Sequence, residues 1–254
     1  MARRRNYNRK RRGRFGLLYK LLSVLAICVV IVVALTLFFR VNTIDVTGES
    51  RYSEAEIIEA SGLNTGDNLL LLNKYAIAKD LQRKLPYIAL VRINRVLPDT
   101  LAIDVTESKA ALAVVQAGYT WLVSPEGKIV EQRAASAAAD FAKIEGCELL
   151  PPAVATFIQM PTERLTQQES LLALMGALDE QEMMEEVDSI RLDDAAVLTM
   201  EYMERFRVEL PYGADYSYKL RTLRAILDSG RIESNETGVL RMTGDGGQNV
   251  FIKD

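Results

Sequence analysis

The residues that could do acid–base, nucleophilic or metal chemistry are few, and their spacing suits none of these reactions. The chain has no histidine, which excludes His-based catalytic triads and most zinc sites. No serine is followed three positions later by lysine, the pattern of wall-active serine enzymes. The acid pairs Glu185-Glu186 and Asp193-Asp194 are adjacent, so their side chains diverge instead of facing each other as in glycosidases. We therefore predict a chain with no catalytic residues, no cofactor, no metal and no small-molecule substrate.

Two further motifs are explained by structure alone. The glycine-rich segment 244–247 lacks the Gly-Lys-Ser/Thr ending of a phosphate-binding loop, so a turn between strands is the better interpretation. Cys147 is expected to be a small buried hydrophobe, because a lone cysteine has that role more often than that of a reactive thiol. The second cysteine, Cys28, lies in the apolar stretch described next, so the two cannot pair.

The longest apolar stretch, residues 21–39, contains no charge, no glycine and no proline. As a helix it would measure about 28 Å, which is close to the hydrocarbon thickness of a bilayer. A cleaved signal peptide has a shorter apolar region followed by small residues, and a helix that is apolar on every face is typical of a membrane span or of the core of a large protein. The stretch therefore predicts a single transmembrane helix.

Charge is divided sharply across this helix. Residues 1–40 hold ten of the 31 basic residues and none of the 34 acidic ones, so the remaining 214 residues carry a net charge of about −13. The positive-inside rule places the basic tail, residues 1–20, in the cytoplasm and the body outside the cell membrane. Nucleic acid could also attract the tail, but topology and the lipid bilayer already explain it, so no nucleic-acid partner is predicted.

Residues 40–108 are patterned as strand, helix, helix, strand, strand. Ser53 and Glu56 form a capping box for the first helix, and Gly62 ends it. Asn73 can cap the second helix, which ends before Pro86. Two alternating strands then flank a turn at residues 97–100, which is typical of a hairpin. Two helices on one face of a three-stranded sheet make a small α+β domain.

This order, its position beside the transmembrane helix and the string from Leu85 to Glu107 resemble the bacterial cell-division family FtsQ/DivIB. The shared marks are Pro86-x-Ile88, then Val91-x-Ile93 and the segment VLPDTLAIDVTE, residues 96–107. The resemblance implies that residues 40–108 form a polypeptide-transport-associated (POTRA) domain. The family often continues with Glu-Arg and a proline, whereas this chain has Ser108 after Glu107.

Residues 109–254 are predicted to form a mainly antiparallel β domain with two helices. One helix is expected to be capped by Thr162 or Thr166 and the other to cover residues 216–227. Strands are expected over residues 111–116, 119–123, 128–131, 141–144, 187–192, 196–203, 206–210 and 237–242, with 249–253 extending or pairing with the last. The ending Val239-Leu240-Arg241 resembles the family's closing strand, although the family's usual acid and aromatic residue are missing there.

The resemblance implies a non-catalytic scaffold of the division complex at the septum. Its partners would be small bitopic division proteins of the FtsB/DivIC and FtsL types, held near the C-terminal strand. The L-R match makes Arg241 a charge partner for an acidic residue, and Met242, Val250 and Phe251 would supply apolar contacts. The alternatives are that this strand only completes the core sheet, that the chain is a membrane-anchored wall-active enzyme, or that it is a POTRA protein of a secretion or assembly system.

Overall fold

The computed structural model describes residues 15–233, 235–242 and 249–253, so most of the predicted basic tail and the loop at 244–247 lie outside the described residues. Helix α1 spans Phe15–Phe38, and its segment Leu18–Phe38 is long and apolar enough to cross a membrane. It begins before the predicted residue 21 and ends one residue earlier than expected. Phe39 has already left the helix and packs, partly buried, against the core of the next domain.

A three-stranded sheet covered by two helices follows α1. The strand order is β1-β3-β2, with β1 parallel and β2 antiparallel to the central β3. This is the β-α-α-β-β order expected from the sequence, and we refer to residues 43–107 as the POTRA domain. Its elements are β1 Thr43–Glu49, α2 Glu54–Ser61, α3 Lys74–Lys84, β2 Ile88–Val96 and β3 Thr100–Glu107.

Capping residues close in sequence determine where the helices of the POTRA domain begin and end. The Ser53 side chain accepts from the backbone N–H of Glu56, and the Glu56 carboxylate accepts from the backbone N–H of Ser53, which confirms the capping box. Gly62 ends α2 in the left-handed conformation, with φ of 68°. The Asn73 side chain caps α3 by accepting from the backbone N–H of Ala76. The apolar faces of both helices then pack into the core of the POTRA domain, where α2 contacts β1 and α3 contacts β2.

The rest of the chain, residues 112–253, forms one nine-stranded sheet and two helices, which we call the β domain. The strand order is β12-β11-β10-β9-β8-β7-β4-β5-β6, with five antiparallel and three parallel pairs. The elements are β4 Leu112–Gln116, β5 Tyr119–Val123, β6 Ile129–Ala134, β7 Ala142–Glu145, α4 Leu165–Glu180, β8 Val187–Arg191, β9 Val197–Tyr202, β10 Phe206–Pro211, α5 Tyr216–Asp228, β11 Gly238–Arg241 and β12 Val250–Lys253.

Strand alternation gives the β9 and β10 part of the β-domain sheet one apolar and one polar face. On β9 and β10 the even-numbered residues, such as Met200 and Val208, are buried in the core with α4 and α5. The odd-numbered residues face away and carry charge, including Glu201, Arg207 and Glu209. The predicted helix cap at Thr162 or Thr166 is wrong: α4 begins after Arg164, because Thr162 lies in a preceding short 3-10 turn and Thr166 inside the helix.

The two domains share a small buried cluster. Tyr87 of the POTRA domain packs with Ala113, Leu122 and Val130 of the β domain. Lys128 lies here as well, only 6% exposed, and its Nζ donates to the carbonyl oxygens of Gln82 and Ile88 at 2.7 and 3.1 Å. Burial lowers the pKa of the Lys128 ammonium, and the two carbonyls compensate part of its lost hydration. The junction is therefore packed and hydrogen-bonded.

A charged network borders this junction. The Tyr87 hydroxyl donates to Glu131, and Glu131 also accepts from Nε and Nη2 of Arg133 at 2.8 and 2.9 Å. The Arg51 guanidinium lies 3.4 Å from the centre of the Tyr87 ring. Burial and the Glu131 carboxylate raise the pKa of Tyr87 to about 12. The hydrogen bonds from Arg133 are the main reason that the pKa of Glu131 is lowered from 4.5.

We predict that Glu131→Gln lowers the free energy of unfolding at neutral pH but not at acidic pH. Because the pKa of Glu131 is lowered by folding, its stabilisation is complete above pH 4.5 and is lost as the pH falls through the lowered value. The expected loss in free energy of unfolding is about 1 kcal/mol at neutral pH, measured by urea unfolding. Glu145→Gln, an exposed carboxyl on β7, should change little at either pH. An equal loss for Glu131→Gln at both pH values would contradict this assignment.

Candidate partner-binding surface at the C-terminal edge of the sheet

Strand β12 is the edge of the β-domain sheet. It pairs antiparallel with β11 on one side, and among the described residues no strand pairs with its other side. Alternate residues of an edge strand direct their backbone N–H and C=O groups outward, where another chain can pair with them. The Nζ of Lys253 forms a 2.7 Å ion pair with Glu236, which fastens the end of the strand. β12 is thus held in place on one side, and a strand of another chain could pair with its free side.

The side chains of β12 alternate between the core and solvent. Phe251 is partly buried and packs edge-on against Phe206, with ring centres 6.2 Å apart. Val250 and Ile252 point the other way and are 51% and 41% exposed. The structure therefore places predicted residue Val250 on the surface and uses Phe251 mainly to hold the strand. Ile252 was missed by sequence reasoning, although the alternation of 249–253 puts it on the face of Val250.

Arg241 lies on β11, directly opposite Val250 in the strand register. Its Nε forms a 2.8 Å ion pair with Glu209 of β10, and its side chain is 52% exposed. Guanidinium has five N–H donors, so the pair with Glu209 leaves Arg241 able to donate to a second carboxylate. Arg241 and Val250 thus present a charge and an apolar group side by side at the sheet edge.

Met242 is placed differently from the prediction. It has no exposed surface, belongs to the core cluster of the β domain, and its backbone N–H donates to the carbonyl of Glu209 at 2.9 Å. Its side chain cannot touch a partner in this conformation, because the chain turns it inward after Arg241. We therefore define the candidate surface, called the β12 edge below, as Arg241, Val250, Phe251 and Ile252.

Away from the β12 edge, the described residues form a cleft at the domain junction that contains carboxylates but no serine or cysteine nucleophile and no histidine. A cleft of about 530 Å³ at the domain junction is lined by Asp179, Glu182 and Glu185 on one side and Lys109 on the other. Burial raises the pKa of the Asp179 carboxyl, yet no serine, cysteine or histidine lines the cleft. Among the residues described, no group of three or more His, Cys, Asp or Glu is placed to hold a metal ion.

Cys147 is a poor nucleophile in this setting. Burial raises the pKa of its thiol to about 11, so it stays protonated at neutral pH. The side chain packs, partly buried, against the β-domain core, as expected from the sequence.

The comparisons with known proteins match both domains. A family model described as "POTRA domain, FtsQ-type" matches residues 39–108. The cell division protein FtsQ of Corynebacterium glutamicum is 32% identical over 35% of this chain and 40% of its own length. The cell division protein DivIB of Clostridium acetobutylicum is 31% identical over 55% of this chain and 56% of its length. The chain thus spans about half the length of these two relatives.

A third relative extends the match into the β domain. The cell division protein FtsQ of Syntrophotalea carbinolica is 26% identical over 80% of this chain and 72% of its own length. The FtsQ-type POTRA domain, the α+β architecture and the set of relatives agree with the resemblance read from residues 85–107. The chain thus carries an FtsQ-type POTRA domain and is similar to the cell division proteins FtsQ and DivIB.

Proposed function

We propose that this protein is a non-catalytic, membrane-anchored scaffold of the bacterial division complex. Its β12 edge would bind small bitopic partners of the FtsB/DivIC and FtsL types, and this binding would support septal cell-wall synthesis. The observation that carries the proposal is a fixed edge strand with exposed Val250 and Ile252, in a chain whose relatives are named as cell division proteins.

The mode of binding that we propose is strand addition. A partner strand would take backbone hydrogen bonds from the free side of β12, which supply affinity with little dependence on sequence. Contacts with Val250 and Ile252 would select apolar residues on that strand. The half-exposed guanidinium of Arg241 would select an acidic residue nearby, as the family resemblance implies.

We propose the topology from charge and from α1 together. One helix of the described residues can span a membrane, and nine of the ten basic residues of 1–40 lie at or before Lys20, at its N-terminal end, whereas Arg40 follows its C-terminal end. The positive-inside rule then puts the N-terminus in the cytoplasm and the POTRA and β domains outside the cell membrane. The similarity to cell division proteins supports placement at the septum, with residues 40–108 helping to localise the complex and residues 109–254 binding partners.

The competing function, a wall-active enzyme, would have to use the cleft at the domain junction. Its three carboxylates lie on the end of α4 and the segment after it, and Lys109 faces them. This arrangement suits a solvated acidic rim better than a pair of carboxylates across a glycosidic bond. We propose that this cleft has no catalytic role and that Asp179→Asn leaves septal wall synthesis unchanged.

Charge reversal at the β12 edge tests the proposed function. In membranes that also contain FtsB/DivIC-like and FtsL-like proteins, tagged Arg241→Glu should capture about tenfold less partner than wild type. A like-charge contact would replace an attractive one, and a change of about 1.4 kcal/mol gives that factor. Ile252→Lys should have a similar effect, because it places a charge where an apolar contact is proposed.

The matched control is Arg191→Glu on β8. Arg191 also forms an ion pair across strands, with Glu201 at 2.6 Å, but it lies three strands away from β11. It should capture partners as wild type does while losing a similar surface ion pair. Normal capture by folded Arg241→Glu and Ile252→Lys would exclude the β12 edge as the partner site.

A further inference from the structure

The end of α1 is hydrogen-bonded to the POTRA loop that precedes α3. The Asn68 side chain donates to the carbonyl of Thr36, inside the last turn of the helix, at 3.2 Å. The backbone N–H of Leu69 donates to the carbonyl of Phe39 at 2.9 Å, and that of Val41 to the carbonyl of Asp67 at 2.9 Å. The loop therefore lies beside the helix end, at the level where α1 leaves the bilayer.

The turn of the β2–β3 hairpin lies at the same end of the domain. The backbone N–H of Asn42 donates to the carbonyl of Asp99 at 2.9 Å, and its side chain donates to the Asp99 carboxylate at 3.2 Å. Arg95, on the hairpin, donates to the carbonyl of Leu72 at 2.6 Å and so joins the two segments. Both segments are thus held close to the exit of the membrane helix.

These two segments and the first turn of α3 carry most of the exposed large apolar side chains of the POTRA domain. Leu71 is 77% and Tyr75 87% exposed, and Leu70, Val96 and Leu97 are 42%, 52% and 57% exposed. Within residues 41–108 only one other large apolar side chain is exposed, Leu90, and it lies toward the opposite end of β2. The clustering requires an apolar or interfacial neighbour at this end.

We propose that these five residues, which we call the apolar rim, seat the POTRA domain in the interfacial layer of the lipid bilayer around the exit of α1. The rim is a second membrane contact, continuous with the exposed surface of the helix. It fixes the tilt of the domain relative to the membrane. This inference rests on the membrane anchoring of α1 and does not depend on partner binding at the β12 edge.

Distance and chemistry favour lipid as the occupant. Leu71 is three residues from Asn68, so its backbone lies within about 10 Å of the point where Asn68 touches α1. That distance matches the depth at which apolar side chains enter the boundary between headgroups and acyl chains, and tyrosine is enriched there. Arg40, Lys74 and Arg95 can reach lipid phosphates, while Asp67 and Asp99 accept hydrogen bonds within the protein.

The test measures depth at two sites of one strand. Val96 and Leu90 are similarly exposed and lie on the same face of β2, about 20 Å apart. Full-length protein with Cys147→Ala and Cys28→Ala receives a single cysteine, by Val96→Cys or by Leu90→Cys. An environment-sensitive fluorophore is attached to it, and the protein is placed in phosphatidylcholine vesicles. A Cys147→Ala protein labelled at Cys28 marks the membrane interior.

Nitroxide lipids should quench the label at Val96 at least about threefold more than the label at Leu90, and aqueous iodide should show the reverse order. Equal access of iodide to both sites would overturn the proposal. Protection of Val96 from both quenchers would assign the rim to a protein contact and also overturn it. Quenching of the Cys28 label by aqueous iodide would overturn both the membrane anchoring of α1 and the proposal for the apolar rim. Failed partner capture by the β12-edge variants would not affect the proposal for the apolar rim.

Discussion

Gly48→Ala is expected to remove most of the stability of the POTRA domain, at a cost of about 4 kcal/mol. Gly48 lies in β1 with φ of 104°, a conformation that side chains rarely adopt. A Cβ there would overlap the carbonyl oxygen of Val105 on the paired strand and lie 3.1 Å from its backbone nitrogen. A domain of this size has a total stability of about 3–10 kcal/mol, so the parallel β1–β3 pairing should fail.

Gly66→Ala is the control that separates the backbone strain of a positive φ from the steric overlap expected at Gly48. Gly66 has φ of 99°, yet a Cβ added there meets nothing within 4 Å. It should cost only about 1–2 kcal/mol, from backbone strain alone. Hydrogen exchange of the full chain should show β1 and β3 losing protection in Gly48→Ala and keeping it in Gly66→Ala. Similar protection in both variants would show that β1 can shift away from β3 at little cost.

Gly238→Ala is expected to detach β12 and to reduce partner capture by at least about tenfold. Gly238 has no unusual φ, so the effect comes from space alone. A Cβ on Gly238 would overlap the carbonyl oxygen of Ile252 and lie 2.9 Å from Cε2 of Phe251. Both neighbours belong to β12, and among the described residues β11 is the only strand that pairs with it, so β12 has to move. A displaced edge strand loses its backbone template and the contact of Phe251 with Phe206 together.

Gly176→Ala is the matched control for this prediction. Gly176 lies within α4, and a Cβ there meets nothing within 4 Å. Alanine should stabilise the helix by about 0.5–1 kcal/mol and leave partner capture unchanged. Melting temperatures should show Gly238→Ala still folded, because β12 contributes little to the core. Full capture by Gly238→Ala would mean that partners do not use β12.

Sequence reasoning succeeded where the signal was local. The capping box at Ser53, the Asn73 cap and the alternation of β2 and β3 depend on residues a few positions apart, and the structure has them as expected. The pairings β4–β7, β7–β8 and β10–β11 are parallel and join segments far apart in the chain. Nothing in a local pattern fixes such partners, so the single nine-stranded sheet was not predictable.

The candidate site was predictable in part for a similar reason. The family resemblance at Leu240-Arg241 pointed to β11, which lies beside the edge strand β12, but it could not show that Met242 turns into the core. The sequence gives no sign of a structural role for Lys128, because a lysine that follows a turn is usually exposed. Only the contact between domains reveals that its ammonium group satisfies two carbonyls of the POTRA domain. Both misses concern burial, which depends on the assembled chain.

Because the junction is short and packed, the fold itself sets the distance between the POTRA domain and the far edge of the β-domain sheet. Only residues 108–111 separate β3 from β4, and Ser108 is buried and hydrogen-bonded there. β6, which carries Glu131, borders this junction, and β12 is the opposite margin of the same sheet. At about 4.8 Å per strand spacing, up to about 38 Å separate the two margins. The distance from the POTRA domain to β12 is thus set mainly by the number of strands in the sheet, because the short connection between the domains allows little variation.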